Sequence, residues 1–109
     1  MKAVNFDVRQ RINVTLLLGM QRGTVQDVVT LSAIISKIAL SEDDKKKINY
    51  RVGDSDLVRW DPETAAGIAT IGVNLEEEEV RRLCKMLNDC QSFSTSDIEW
   101  VVPLIRALA

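Results

Sequence analysis

A chain of 109 residues that is 46% hydrophobic and 28% charged makes one globular domain, 1–109, able to bury roughly two-thirds of its unfolded surface. Its net charge of -2 exerts no general pull toward nucleic acid or an anionic membrane surface. Histidine is absent, and with it the side chain most used for acid–base work near neutral pH and the commonest metal ligand, so the chain is expected not to be an enzyme.

Charges at Lys2, Asp7 and Arg9 interrupt the N-terminus, which lacks the apolar core of a signal peptide. Residues 7–19 admit two readings. Val8, Ile12, Leu16 and Gly19 fall on one helical face, whereas Ile12, Val14, Leu16 and Leu18 alternate like a strand. Asn5 as a start signal and Gly19 as a stop signal favour the helix. After a connector at Gln21-Arg22-Gly23, Thr24 and Asp27 form a capping signal for the strongest predicted helix, 24–40. Val25, Val28, Val29, Leu31, Ile34, Ile35 and Ile38 make it apolar nearly all round, with no charge between Asp27 and Lys37. Such a helix belongs at the centre of a core or in an oligomer interface. Ser41-Glu42-Asp43-Asp44 opens a short helix that Lys45, Lys46 and Lys47 close, a charge order matching the helix dipole.

The segment Asn49–Asp61 then reads as a β-hairpin. A three-residue loop, Asp54-Ser55-Asp56, sets Tyr50 opposite Trp60 and Val52 opposite Val58 on one face, and Arg51 opposite Arg59 on the other. A two-residue loop would mix the faces. Asp61-Pro62 ends the hairpin, 62–67 is a predicted loop, and Ile68–Val73 is a candidate third strand along one hairpin edge. Asn74-Leu75-Glu76-Glu77 is a capping signal for a helix to about Asp89, with Val80, Leu83, Cys84 and Leu87 on its buried stripe. Glu77 with Arg81 and Glu78 with Arg82 are i,i+4 pairs in the favourable order. Beyond a linker at 91–94, Ser96 with Glu99 resembles a capping box, and Ile98, Val101, Val102, Ile105 and Leu108 give a last helical face. Pro103 should kink that helix or confine it to one side. Cys84 and Cys90, six residues apart on one helix, project on different sides and are expected to stay unpaired, as in a reducing cytoplasm.

Two facing arginines on one strand pair are mildly unfavourable, which makes Arg51 and Arg59 the best functional hint. Guanidinium groups grip oxyanions, so the pair could hold an acidic protein surface or a phosphate-bearing small ligand. Asp54, Asp56 and Asp61, or the run Glu76–Glu79, could instead neutralise it locally. The Glu76–Glu79 run suits a solvated helix N-terminus, and Lys45–Lys47 is cancelled within one turn by Glu42, Asp43 and Asp44. Asp54-Ser55-Asp56 lacks the glycine and distal Glu of a calcium loop, and the five glycines form no phosphate-binding motif. No cofactor, metal or membrane partner is implied.

The order of elements resembles that of small bacteriophage- and prophage-encoded proteins of unassigned activity. The resemblance lies in the apolar helix before Ser41-Glu42-Asp43-Asp44-Lys45, the hairpin ending Val58-Arg59-Trp60-Asp61-Pro62, and Val73-Asn74-Leu75 leading through Glu76–Glu79 into a helix. It implies a role in binding a host component or building a particle, and carries over no functional residue. The expected fold is α+β, mostly helical, with four or five helices around a central two- or three-stranded antiparallel hairpin that buries Tyr50, Val52, Val58 and Trp60. The leading functional expectation is a non-enzymatic protein-binding module, a modulator of a host protein, that uses Arg51 and Arg59 beside Asp54 and Asp56. Its alternatives are a homo-oligomer sharing the helix 24–40, and a small-ligand or nucleotide sponge.

Overall fold

In the computed structural model, which describes residues 1–54 and 57–109, the chain follows an α+β, mostly helical course. It runs through β1 (Lys2–Phe6), α1 (Val8–Gly19), α2 (Val25–Ile38), α3 (Glu42–Lys47), β2 (Arg51–Val52) and β3 (Val58–Arg59). Then come α4 (Pro62–Ala65), β4 (Ile71–Leu75), α5 (Glu77–Asp89), a 3-10 turn at Thr95–Asp97 and α6 (Ile98–Leu108). Residues 7–19 resolve as helix, because Val8, Ile12 and Val14 all reach apolar neighbours only from a helical backbone that also buries Arg11 and Leu18.

Alternation in β1 sends Val4 and Phe6 inward, and both are essentially inaccessible. Their strand pairs antiparallel with β4, Lys2 opposite Leu75 and Phe6 opposite Ile71. The third strand expected at Ile68–Val73 thus forms as Ile71–Leu75, but pairs with the N-terminal residues and not with the hairpin. Its inward row Ile71, Val73 and Leu75 finds apolar company there, on the main core. That core is filled from α1 (Val14, Leu18), α2 (Leu31, Ile34, Ile38), α5 (Leu83, Met86, Leu87) and α6 (Trp100, Val101, Leu104, Leu108). Phe93 meets Trp100 edge-on, ring centroids 5.6 Å apart.

Four of the helical starts share one device, a side chain three residues on that accepts the N-cap backbone N–H. Gln10 Oε1 serves Asp7 (2.9 Å), Asp27 Oδ2 serves Thr24 (3.1 Å), Glu79 Oε1 serves Glu76 (2.8 Å) and Asp97 Oδ2 serves Ser94 (2.8 Å). The cap at Thr24 lies where the sequence pattern put it, as does Ser41 at the start of α3, whose hydroxyl accepts the Asp44 N–H at 3.1 Å. Asp7, Glu76 and Ser94 replace Asn5, Asn74 and Ser96, because Asn5 and Asn74 are held in the β1–β4 pair and Ser96 lies inside the 3-10 turn. The loop expected at 62–67 contains the single turn α4, with Pro62 at a first-turn position where no N–H is needed. Regular helix continues on both sides of Pro103, against the expectation of confinement to one side, and the Glu99 carbonyl goes without its helical donor.

The hairpin has the expected register, Arg51 opposite Arg59 and Val52 opposite Val58, closed by a Gly53 N–H to Leu57 O bond of 2.8 Å. It is a peripheral ribbon. Tyr50, Val58 and Trp60 pack on a second, smaller cluster of Val8, Ile12, Leu40 and Ile48. Val52 is a correction: it lies at the tip beyond that cluster and is 58% exposed. The chain enters β2 through Asn49, whose φ of 54° is left-handed. Asn49 N–H donates to Lys46 O (3.2 Å) and Tyr50 N–H to Lys45 O (2.8 Å), a Schellman closure of α3 that aims Tyr50 at the second cluster.

Candidate functional site

Arg51 and Arg59 stand side by side on the exposed face of the hairpin, as the register requires. Arg51 is engaged within the chain. Its Nη1 donates to Asn49 O at 2.8 Å and lies 3.3 Å from Asp61 Oδ1. Arg59 is exposed and has no ion pair among the described residues. Asp54 is exposed likewise, whereas Asp56 lies outside the described residues. Lys45 Nζ sits 5.2 Å above the Tyr50 ring, so this edge of the hairpin is cationic but largely self-satisfied. Among the described residues no three metal-ligating side chains gather, and no helix is long and apolar enough to cross a membrane. Both cysteines are free thiols, Cys84 packed against the main core.

An open cleft of about 440 Å³ lies where the α1–α2 connector meets the end of α5. Its floor is Leu17, Leu31 and Met86, and Arg22, Arg82 and Lys85 stand at its rim. Arg82 is neutralised by Asp27 and by Glu78 Oε1 (3.0 Å), and Lys85 lies 3.9 Å from Asp89. The Thr24 backbone N–H, with the Arg82 charge adding, holds the Asp27 carboxyl below its ordinary pKa. Two of the three cations around the cleft, Arg82 and Lys85, are thus already engaged within the chain. Glu79, expected on a solvated run, is 6% exposed and meets Lys37 Nζ at 2.5 Å, while Lys37 also donates to Asn74 O. These contacts hold α2, β4 and α5 together.

Among the described residues, large exposed hydrophobics include Met20, Val52, Leu57 and Ile98, and three more, Val25, Val28 and Val29, share the outward face of α2. Its inward positions, Thr30, Leu31, Ile34 and Ile38, are buried, which answers the expectation of a helix central to a core. Val25, Val28 and Val29 point away from the chain, at 83%, 48% and 56% exposure. Ser32, Ala33 and Ser36 continue the same face toward the C-terminus, all exposed, and no charged residue lies between Asp27 and Lys37. The Ser36 hydroxyl donates to Ser32 O at 3.1 Å, so its donor is already used within the helix. On α1, Leu16 is 40% exposed and lines a small recess with Ala39, beside the C-terminal end of this face.

No family model, curated protein or solved structure matches this chain.

Proposed function

We propose that the chain is a non-enzymatic protein-binding module whose contact surface is the outward face of α2. The observation that carries this is the row Val25, Val28 and Val29, exposed on a helix that has no charge from Val28 to Ser36. Fully burying a valine is worth about 1.5–3 kcal/mol, and at these exposures the three together offer about 3–5 kcal/mol to a partner that covers them. Exposed ion pairs contribute about 0–1 kcal/mol each, so the Arg51/Arg59 ribbon, half engaged by Asp61, supplies far less. Arg59 is suited to steering an acidic surface into place and tuning rate more than affinity.

The test is a photo-crosslinking side chain placed at position 29 in one variant and at position 59 in another, each produced in the cells that naturally make the chain. Discrete crosslinked products from position 29, absent from position 59, are the expected result. Products from position 59 alone would overturn the assignment and return the contact to the hairpin.

A further inference from the structure

The cleft of about 440 Å³ beside the α1–α2 connector lies within the size range of small-molecule sites, about 300–1,000 Å³. One wall is a single face of α5 and its C-cap: Arg82, Lys85, Met86, Asp89 and Cys90 recur at the three- and four-residue steps that share one side of a helix. Leu17 and Leu31 add apolar floor from α1 and α2. Met20, the C-cap of α1, also lines the cleft and is 74% exposed. A large apolar side chain left in water beside an apolar floor gains cover from an apolar body in the cleft, and methionine adapts its shape to what it meets.

Charge selects the rest of the ligand. Five ionic side chains line the cleft, three cations and two acids. Arg82 is paired with Asp27, and Lys85 lies 3.9 Å from Asp89. Arg22 is the remaining charge, exposed and with no ion pair among the described residues. The connector holds it in place. The Gln21 N–H donates to Leu18 O at 3.2 Å, and Gln21 Nε2 donates to Leu17 O at 3.1 Å. On the other side, a Cβ at Gly23 would stand 2.7 Å from Asp27 Oδ2, so glycine lets the chain turn into the α2 cap directly after Arg22.

We infer that the cleft binds a small carboxylic acid with an apolar chain, its carboxylate on Arg22 and its chain over Leu17, Leu31 and Met86. One uncompensated guanidinium matches one carboxylate, which it grips with two parallel hydrogen bonds. A dianion would bring one charge more than the lining balances, with Asp27 and Asp89 close by to repel it. A neutral chain would leave Arg22 unanswered. The site is independent of the outward valines of α2, which do not line it.

Octanoate titrated into the full chain carrying methyl-labelled methionine tests this. Of the three methionines, Met20 and Met86 line the cleft, and Met1, 80% exposed, does not. The methyl signals of Met20 and Met86 are expected to move together while Met1 stays fixed. The dissociation constant should be on the order of 0.1–1 mM, which ligands of about ten non-hydrogen atoms reach in an open site. Each methylene added between hexanoate and octanoate should tighten binding by about two- to fourfold as it leaves water. Arg22→Gln is expected to weaken octanoate by about tenfold or more, to the level of octanol. Val29→Gln is expected to bind octanoate as the wild type does. Both positions are exposed, so the spectra of the free variants should superpose on the wild type away from the substitution. Unmoved Met20 and Met86 signals up to about 10 mM octanoate overturn the proposal. Equal movement of Met1 overturns it too, as coating by an amphiphile, and so does an Arg22→Gln variant that binds as tightly as the wild type. Loss of binding in Val29→Gln would overturn it by placing the acid on the outward face of α2. Succinate binding more tightly than octanoate would overturn the apolar chain.

Discussion

Replacing Arg11 by methionine keeps most of the side-chain stem but removes a guanidinium that terminates α2. Arg11 is 6% exposed. Its Nε donates to Ile38 O at 2.8 Å, one Nη donates to Ala39 O at 3.0 Å, and the other lies 4.0 Å from Asp44. Burial lowers the pKa of this guanidinium and Asp44 partly restores it, yet it stays charged throughout the accessible pH range. The last carbonyls of a helix have no donor within it, and here a charged donor from α1 supplies two. Hydrogen bonds to charged groups are worth about 1.5–3 kcal/mol each, so the expected loss is about 3–5 kcal/mol. Domains of this size are stable by about 5–15 kcal/mol, so the variant should lose about a fifth of the total or more. Urea unfolding followed by far-UV circular dichroism should show a lower midpoint with the slope unchanged. Arg11→Lys, whose ammonium cannot serve two carbonyls in fork geometry, should recover about half of the loss. A loss below about 1 kcal/mol in Arg11→Met would refute the assignment of Arg11 as the cap of α2.

Three further outcomes are expected. Asn49→Gly should leave stability within about 0.5 kcal/mol of wild type, whereas Asn49→Val, a branched residue forced to a φ of 54°, should cost about 1–2 kcal/mol by thermal unfolding. Leu75→Ala, which empties a fully buried position in the β1–β4 pair, should cost about 2–5 kcal/mol by urea unfolding. The Ser94 backbone N–H, foremost, and the Trp100 indole hold the Asp97 carboxyl below its ordinary pKa, and Asp27 is held down likewise. A depressed folded pKa gives stability that is present above the unfolded value, about 3.9, and is lost as pH falls through the folded value. The urea midpoint should therefore drop below about pH 4, and less steeply in Asp97→Asn.

The hairpin was legible because both of its faces are patterned: only one register puts Arg51 on Arg59 and Val52 on Val58 together. Thr24 with Asp27 was legible because no Ser, Thr, Asp or Asn stands just before it to compete as a cap. Ser41 at the start of α3 was legible likewise, whereas the starts of α1, α5 and the 3-10 turn were each missed by two residues, since Asn5, Asn74 and Ser96 offer equally good caps and only tertiary pairing decides among them. β1 was invisible. Five residues with Val4 and Phe6 inward carry too little pattern, and the partner strand lies about seventy positions away. The candidate site divides in the same way. The missing charges between Asp27 and Lys37 marked α2 as a helix with more apolar surface than one core needs, but not which side the core would take. Arg11 gave no signal, because an arginine on an amphipathic helix normally faces solvent and here it meets the end of α2.

Methyl spectra of the valine-labelled protein, recorded over rising protein concentration and then with added extract from the cells that make it, address the contact face most directly. Val25, Val28 and Val29 on α2 and Val52 at the hairpin tip are all exposed, so all four report on their surroundings. The account predicts that the three α2 valines shift and broaden while Val52 stays unmoved. Movement of Val52 with the α2 valines unchanged would contradict it and place the contact on the hairpin beside Arg59.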